Sequence, residues 1–173
     1  MTPIFTVGHS THALDRFVEM LHAHKIEHLI DVRTLPRSRR NPQFNRESLA
    51  ISLTGAGVAY THMPELGGLR EPRADSINTA WQNAAFRGYA DHMQTTEFVA
   101  ALNQLIEAAS SRRTAIMCAE AVPWRCHRSL ISDVLTARGV AVEHIFSSTK
   151  REPHRYTPFA RIEGGSVSYP GLA

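Results

Sequence analysis

Both cysteines of this chain lie in one short stretch, Met117-Cys118-Ala119-Glu120 followed by Cys126-His127-Arg128. Two thiols, a carboxylate, an imidazole and a guanidinium therefore share a single segment. Cys126 sits near a helix start with Arg125 and Arg128 close by, an environment that lowers a thiol pKa from about 8.5 into a range of roughly 3.5 to 7.5. It is the nucleophile candidate. Cys118 ends an apolar strand and reads more simply as a buried structural residue. His127 shares a helical face with Leu130, Ile131 and Val134, and reads as a half-buried histidine that orients its neighbours.

Glu120 and Asp31 each follow or end an apolar strand, where burial raises a carboxyl pKa and a nearby arginine lowers it. Either can do general acid or base work. The plainer reading is an internal ion pair with Arg33 or Arg128, since a buried charge must be paired. His9 follows Gly8, which permits close backbone approach, and precedes the hydroxyls of Ser10 and Thr11. Its plainer role is helix capping. Gly67-Gly68 can approach a ligand closely or simply turn the chain.

Familiar chemistries fit this spacing poorly. Six residues separate Cys118 from Arg125, and the loop holds Glu120, Pro123 and Trp124 with no glycine. That is a poor backbone nest for a phosphate, and its carboxylate repels one, which counts against a cysteine-dependent phosphatase or sulfurtransferase. Cys118, Cys126 and His127 lack the paired spacing of a dedicated zinc site, although His9 or His62 would complete one across a crevice. No G-x-G-x-x-G or P-loop pattern is present, and no cofactor is assigned.

The elements that must carry these residues alternate along the chain. Ile4–Val7, His28–Val32, Val58–His62, Thr114–Met117 and Val140–Ile145 read as strands, from apolar runs bounded by turn residues. Between them, Leu14, Phe17, Val18 and Leu21 mark one helix, and Asn45 can cap a short second one carrying Leu49 and Leu53. Phe98, Leu102, Leu105, Ile106 and Ala109 mark a long third helix, and Leu130, Ile131, Val134 and Leu135 a fourth starting from Cys126. Residues 69–94 fit no clean period and read as an insertion with some helix. The expectation is a single α/β domain over residues 1–146, with a mostly parallel central sheet of about five strands and helices on both faces, Rossmann-like. Residues 147–173 are expected to be a mostly irregular tail packed back on it through Tyr156-Thr157-Pro158.

With 173 residues, the chain is one domain by size. Two cysteines without a secretory leader point to a reducing cytoplasm, and no apolar run approaches a membrane span. The net charge of +3 is modest, yet five arginines (Arg33, Arg37, Arg39, Arg40, Arg46) and no acidic residue lie between Asp31 and Glu47. Arginine's planar fork suits phosphate and carboxylate.

In a parallel sheet, the turns after strands one to four open on the same edge. His9 to Thr11, Asp31 to Arg39, His62 to Gly68 and Cys118 to Arg128 are then expected to converge on one crevice lined by arginines and helix starts, which prefers an anion. The same residues resemble a family, the bacterial proteins grouped as domain of unknown function 488. The matches are Thr6 to Thr11, Asp31-Val32-Arg33 with Pro36 to Arg39, Tyr60 with Leu66-Gly67-Gly68, Gly88-Tyr89, Cys118-Ala119-Glu120 with Cys126-His127-Arg128, and Tyr156-Thr157-Pro158. Ala13 departs from the family's small polar residue at a helix start. The resemblance implies a compact α/β domain and no particular reaction.

Together these readings give His9, Asp31, Glu120 and Cys126 as candidates for the chemistry. Ser10, Thr11, Arg33, Arg37, Ser38, Arg39, Tyr60, Gly67, Gly68, Tyr89, His127 and Arg128 are candidates for ligand contact. The leading expectation is an enzyme acting on a phosphate-bearing ligand, a nucleotide or modified nucleic acid, with Arg33, Arg37 and Arg39 holding the anion. The rival is a nucleic-acid-binding or interaction module using the Arg33–Arg46 segment, with Trp81, Phe86 or Tyr89 stacking on bases.

Overall fold

A computed structural model describes residues 2–171. In chain order the main elements are β1 (Ile4–Gly8), α1 (Leu14–Ala23), β2 (His28–Asp31), α2 (Arg46–Gly55), β3 (Ala59–His62), α3 (Ala84–His92), α4 (Thr96–Ser111), β4 (Thr114–Cys118), α5 (Arg128–Ala137), β5 (Val142–Ile145), β6 (Arg151–Pro153), β7 (Arg161–Glu163) and β8 (Ser166–Ser168). Six strands form one sheet in the order β3-β2-β4-β1-β5-β6, and β7 pairs with β8 in a separate hairpin. Strands β1 to β5 run parallel, while β6 runs antiparallel along β5. The fold is α/β and Rossmann-like, as the alternation of elements implies.

The period-two geometry of a strand sorts the core into two layers. Phe5 and Val7 of β1 and Ala115 and Met117 of β4 face one layer, with Phe17 and Leu21 of α1 and Leu49 and Leu53 of α2. Ile4, Ile30, Ile116 and Cys118 face the other, with Phe98, Leu102 and Leu105 of α4 and Leu130, Val134 and Leu135 of α5. By this alternation Thr6, two residues beyond Ile4, turns its hydroxyl toward the α5 side. The carboxyl ends of β2, β3 and β4 each lead into a short 3-10 turn that begins with proline: Pro42–Phe44, Pro64–Leu66 and Pro123–Arg125. Proline suits the first position of such a turn, where no N–H partner exists.

Three details differ from the sequence reading. The last helix starts at Arg128, because the Pro123 turn intervenes and Cys126 stays extended (φ −141°, ψ 154°). Asn45 stands at the start of α2, yet its Oδ1 accepts from the backbone N–H of Ser38 and ties the arginine loop to the helix (2.7 Å). The tail contributes β6 and the β7–β8 hairpin, and β6 covers what would otherwise be the open edge of β5. Residues 69–83 are held by a side chain: buried Asp91 of α3 accepts from Arg73 N (2.8 Å), Ser76 Oγ (2.6 Å) and Asn78 Nδ2 (2.7 Å). No helix among the described residues is long and apolar enough to cross a membrane.

Gly8 ends β1 against the carbonyl of Glu120, so closely that an added Cβ would overlap that oxygen. Gly55, at the end of α2, faces open space. Gly8→Ala is expected to cost about 3 kcal/mol, and Gly55→Ala to be neutral or to stabilise by about 0.5 kcal/mol. Urea unfolding of the two variants checks the contrast; equal effects would contradict the packing of β1 on the β4 turn.

Candidate functional site

Three polar clusters line the carboxyl edge of the sheet. The first is built on β2. Asp31 is fully buried: its Oδ1 accepts from the backbone N–H (3.1 Å) and Nε (2.9 Å) of Arg33, and its Oδ2 from Arg33 Nη2 (2.7 Å) and the Tyr60 hydroxyl (2.5 Å). Arg33 Nη2 also donates to the Phe44 carbonyl (2.7 Å), and Nη1 approaches His9 Nε2 (3.4 Å). Four bonds thus satisfy the carboxylate, as an interior ion pair requires. Tyr60 is pushed well up, by burial and by the Asp31 carboxylate. His9 donates from Nδ1 to the Ser10 carbonyl (2.8 Å) and stacks on Phe44 at 4.4 Å, so its Nε2 lone pair faces Arg33. Burial lowers its pKa to about 4.

Arg33 is therefore engaged inside the protein, whereas Arg37, Arg39 and Arg40 on the following loop are exposed and form no ion pair among the described residues. Ser38 spends its Oγ on Asn41 N (2.9 Å) and so stiffens this loop. Ser10 holds a left-handed backbone (φ 47°) beside the exposed Thr11.

The second cluster joins the β3 turn to α5. His127 Nε2 donates to the Val32 carbonyl (2.8 Å), which leaves Nδ1 as an acceptor 3.5 Å from Cys126 Sγ. Its ring lies 4.9 Å from Tyr89, and burial lowers its pKa to about 4. Gly68 packs on the same ring, where a Cβ would come within 3.3 Å of Nδ1; Gly67 packs on Thr34. Tyr89 is buried and its hydroxyl donates to the Leu66 carbonyl (2.8 Å), so it is unavailable for stacking on a base.

The third cluster centres on Arg128, which is fully buried. Its Nε donates to Cys118 Sγ (3.0 Å), Nη1 to Thr6 Oγ1 (3.0 Å) and Nη2 to the Glu120 carbonyl (2.8 Å). The Glu120 carboxylate itself belongs to an exposed residue. The sulfur atoms of Cys118 and Cys126 are in direct contact, with their Cα atoms 7.3 Å apart. The guanidinium thus lies on Cys118, while Cys126 receives the backbone N–H of Arg128 (3.4 Å).

Beyond Arg128 runs a chain of hydrogen bonds absent from the sequence reading. Thr6 Oγ1 meets His144 Nδ1 (2.6 Å), His144 Nε2 meets His154 Nδ1 (2.9 Å), and His154 Nε2 meets Asp133 Oδ1 (2.7 Å). Asp133 also accepts from the Thr157 N–H (3.0 Å) and the Tyr169 hydroxyl (2.7 Å). One tautomer assignment satisfies every link, with each donor pointing from Arg128 toward Asp133. The pKa of His144 is lowered to about 3, by burial first and then by His154 and Arg128.

The outer faces of His144 and His154 line a cavity of about 710 Å3, with Trp81, Trp124, Tyr156, Phe159 and Arg155 around it. One signal of this region was legible: Asp133 is a carboxylate in the middle of the apolar face of α5. No group of three His, Cys, Asp or Glu side chains among the described residues is placed to hold a metal ion.

The buried histidines set the pH response. His9, His127 and His144 titrate in the folded protein at or below about 4, against 6.5 when unfolded. Below pH 6.5 the unfolded chain takes up protons that the folded one refuses, so stability declines on acidification, by up to about 1.4 kcal/mol per pH unit for each histidine. Urea unfolding at about pH 7 and about pH 5 is expected to show this loss; an unchanged free energy would contradict the neutral, buried state of the rings.

A family model described as "Domain of unknown function DUF488" matches residues 13–135. No curated protein and no solved structure matches the chain. The matched segment runs from the start of α1 into α5 and holds Asp31, Arg33, Gly67, Gly68, both cysteines and Arg128. More than half of the sequence is thus covered, and the chain belongs to the DUF488 family.

Proposed function

We propose that the protein is an enzyme acting on a phosphate-bearing ligand, a nucleotide or a residue of modified nucleic acid, at the carboxyl edge of its sheet. The cavity beside His144 and His154 carries this reading. Its volume of about 710 Å3 falls in the range of small-molecule sites, and the aromatic side chains on its walls suit a planar base. Arg155 supplies a cation on the same lining for the phosphate, and the carboxylate of that lining, Glu152, is paired with Lys150. The anion site is thereby shifted from Arg33, whose fork is held by Asp31, toward Arg155.

The enzyme part of the reading rests on Cys126 and His127. A thiol 3.5 Å from an unprotonated imidazole nitrogen has the arrangement of an activated nucleophile and its base. Ser129 and Pro123, which flank this pair in the chain, also line the cavity. In this reading His9 and Asp31 position Arg33 and the β2 turn, and Glu120 is the exposed carboxylate nearest the thiols in the chain. Ser10, Thr11, Arg37 and Arg39 lie on neighbouring turns of the same edge, available to a longer ligand.

The rival reading, a nucleic-acid-binding module, draws on the exposed Arg37, Arg39 and Arg40. One binding experiment separates the two. A panel of nucleoside phosphates and a single-stranded oligonucleotide is titrated against the protein, Trp124→Ala and Arg155→Ala. Loss of about tenfold in affinity for a nucleotide in each variant is expected, from lost stacking and a lost charge-assisted bond. Binding confined to the oligonucleotide, steeply salt-dependent and unaffected by either variant, would favour the module and sink the cavity reading.

A further inference from the structure

Arg128 presents an imbalance of charge. It is fully buried, and among the described residues no carboxylate lies within ion-pair distance of it, the exposed Glu120 carboxylate acting on it only from farther away; its three partners are a hydroxyl, a carbonyl and the sulfur of Cys118. The nearest acid along its hydrogen bonds is Asp133, reached only through Thr6, His144 and His154. Burial lowers even this guanidinium, to about 9. A cation so placed calls for an anion in contact with it, and among its partners only Cys118 can become one by losing a proton. Arg33 shows the alternative in the same molecule, since its fork rests on the carboxylate of Asp31.

The second thiol is supplied with what a resolving partner needs. Cys126 touches Cys118 through sulfur, receives the N–H of Arg128, and faces the free Nδ1 of His127, which is 3.5 Å away. Both cysteines keep only 3% and 4% of their surface exposed, a restriction that admits a small oxidant and excludes a protein disulfide.

We propose that Cys118 and Cys126 form a redox-active dithiol, in which Cys118 is the thiolate held by Arg128 and Cys126 is the resolving thiol, with a hydroperoxide as oxidant. The Cys118 thiolate attacks the terminal oxygen of the peroxide, the O–O bond breaks, and hydroxide (from hydrogen peroxide) or alkoxide (from an organic hydroperoxide) leaves and is protonated by water while the sulfur becomes a sulfenic acid. Cys126 then attacks that sulfur. Its proton passes by way of His127 Nδ1 to the departing hydroxide, so the products are a disulfide and water. Two electrons from a small external dithiol restore the pair. This inference goes beyond the proposed function and does not depend on what the cavity binds.

The test uses the full-length protein, fully reduced, and hydrogen peroxide. After reaction, remaining thiols are blocked in denaturant and peptides are mapped by mass spectrometry. The wild type is expected to form the Cys118–Cys126 disulfide, reversibly with dithiothreitol, at least about tenfold faster than the same chain unfolded in urea. Cys126→Ser is expected to accumulate a sulfenic acid on Cys118 that dimedone traps, and Cys126 in Cys118→Ser to oxidise more slowly than Cys118 does in Cys126→Ser. The proposal is overturned if both thiols of the folded wild type stay reduced or oxidise no faster than in urea. First trapping on Cys126 overturns the assignment of roles. The wild-type comparison stands even where a variant fails to fold.

Discussion

The guanidinium of Arg128 is the interaction on which the carboxyl edge of this sheet depends. It leaves the start of α5, passes beneath the β4 turn and touches β1 and β4 at once, through Thr6, Cys118 and the Glu120 carbonyl. The same carbonyl presses on Gly8 so tightly that only glycine fits. Past Thr6, the polar chain runs through His144 of β5 and His154 beyond β6 to Asp133 of α5 and Tyr169 of the tail. A buried cation and a buried anion at opposite ends of one line of aligned donors hold five elements in register. Burying a charge costs several kcal/mol unless it is compensated, so each link of this line is constrained by the others.

Two arginines on neighbouring turns divide the labour of the edge. Arg33 closes on Asp31 and, through Tyr60, His9 and the Phe44 carbonyl, locks the β2 turn against β3 and β1. Its Nε and Nη2 are spent on Asp31 and the Phe44 carbonyl, which makes it a structural member. Arg128 has only neutral oxygens and a sulfur around it. A sulfur is the one partner in either set that can be oxidised, and the proposed redox step is placed there.

Much of this was legible in the residues. Apolar runs and helical periods place the strands and most helices, because one buried face suffices to mark each. The convergence of the turns after β1 to β4 follows from parallel pairing. The Asp31–Arg33 ion pair, two residues apart, was among the readings the residues offered; what stayed hidden is pairing at a distance, since Arg128 reaches back ten residues to Cys118 and across the sheet to Thr6. Proximity in sequence favoured Cys126 as the thiol with the cation, and the direction of the Arg128 side chain reverses that. His144, His154 and Tyr169 carry no local pattern, because their roles exist only once β6 and the tail fold over α5. The cavity is hidden for the same reason, being walled by Trp81, Trp124 and residues 152–159 from three separate parts of the chain.

The central claim is that Cys118 is charged while it rests on Arg128. Its thiolate absorbs in the ultraviolet, and the reduced Cys126→Ser protein presents that signal alone. Arg128 donates to it, and Glu120, Arg125 and His127 are the other charged or titratable residues of the same turn. A titration of this absorbance is predicted to show the thiolate persisting below about pH 7, well under the ordinary thiol value of about 8.5. An absorbance that appears only near or above about pH 8.5 would contradict the account, leaving a buried guanidinium beside a neutral thiol.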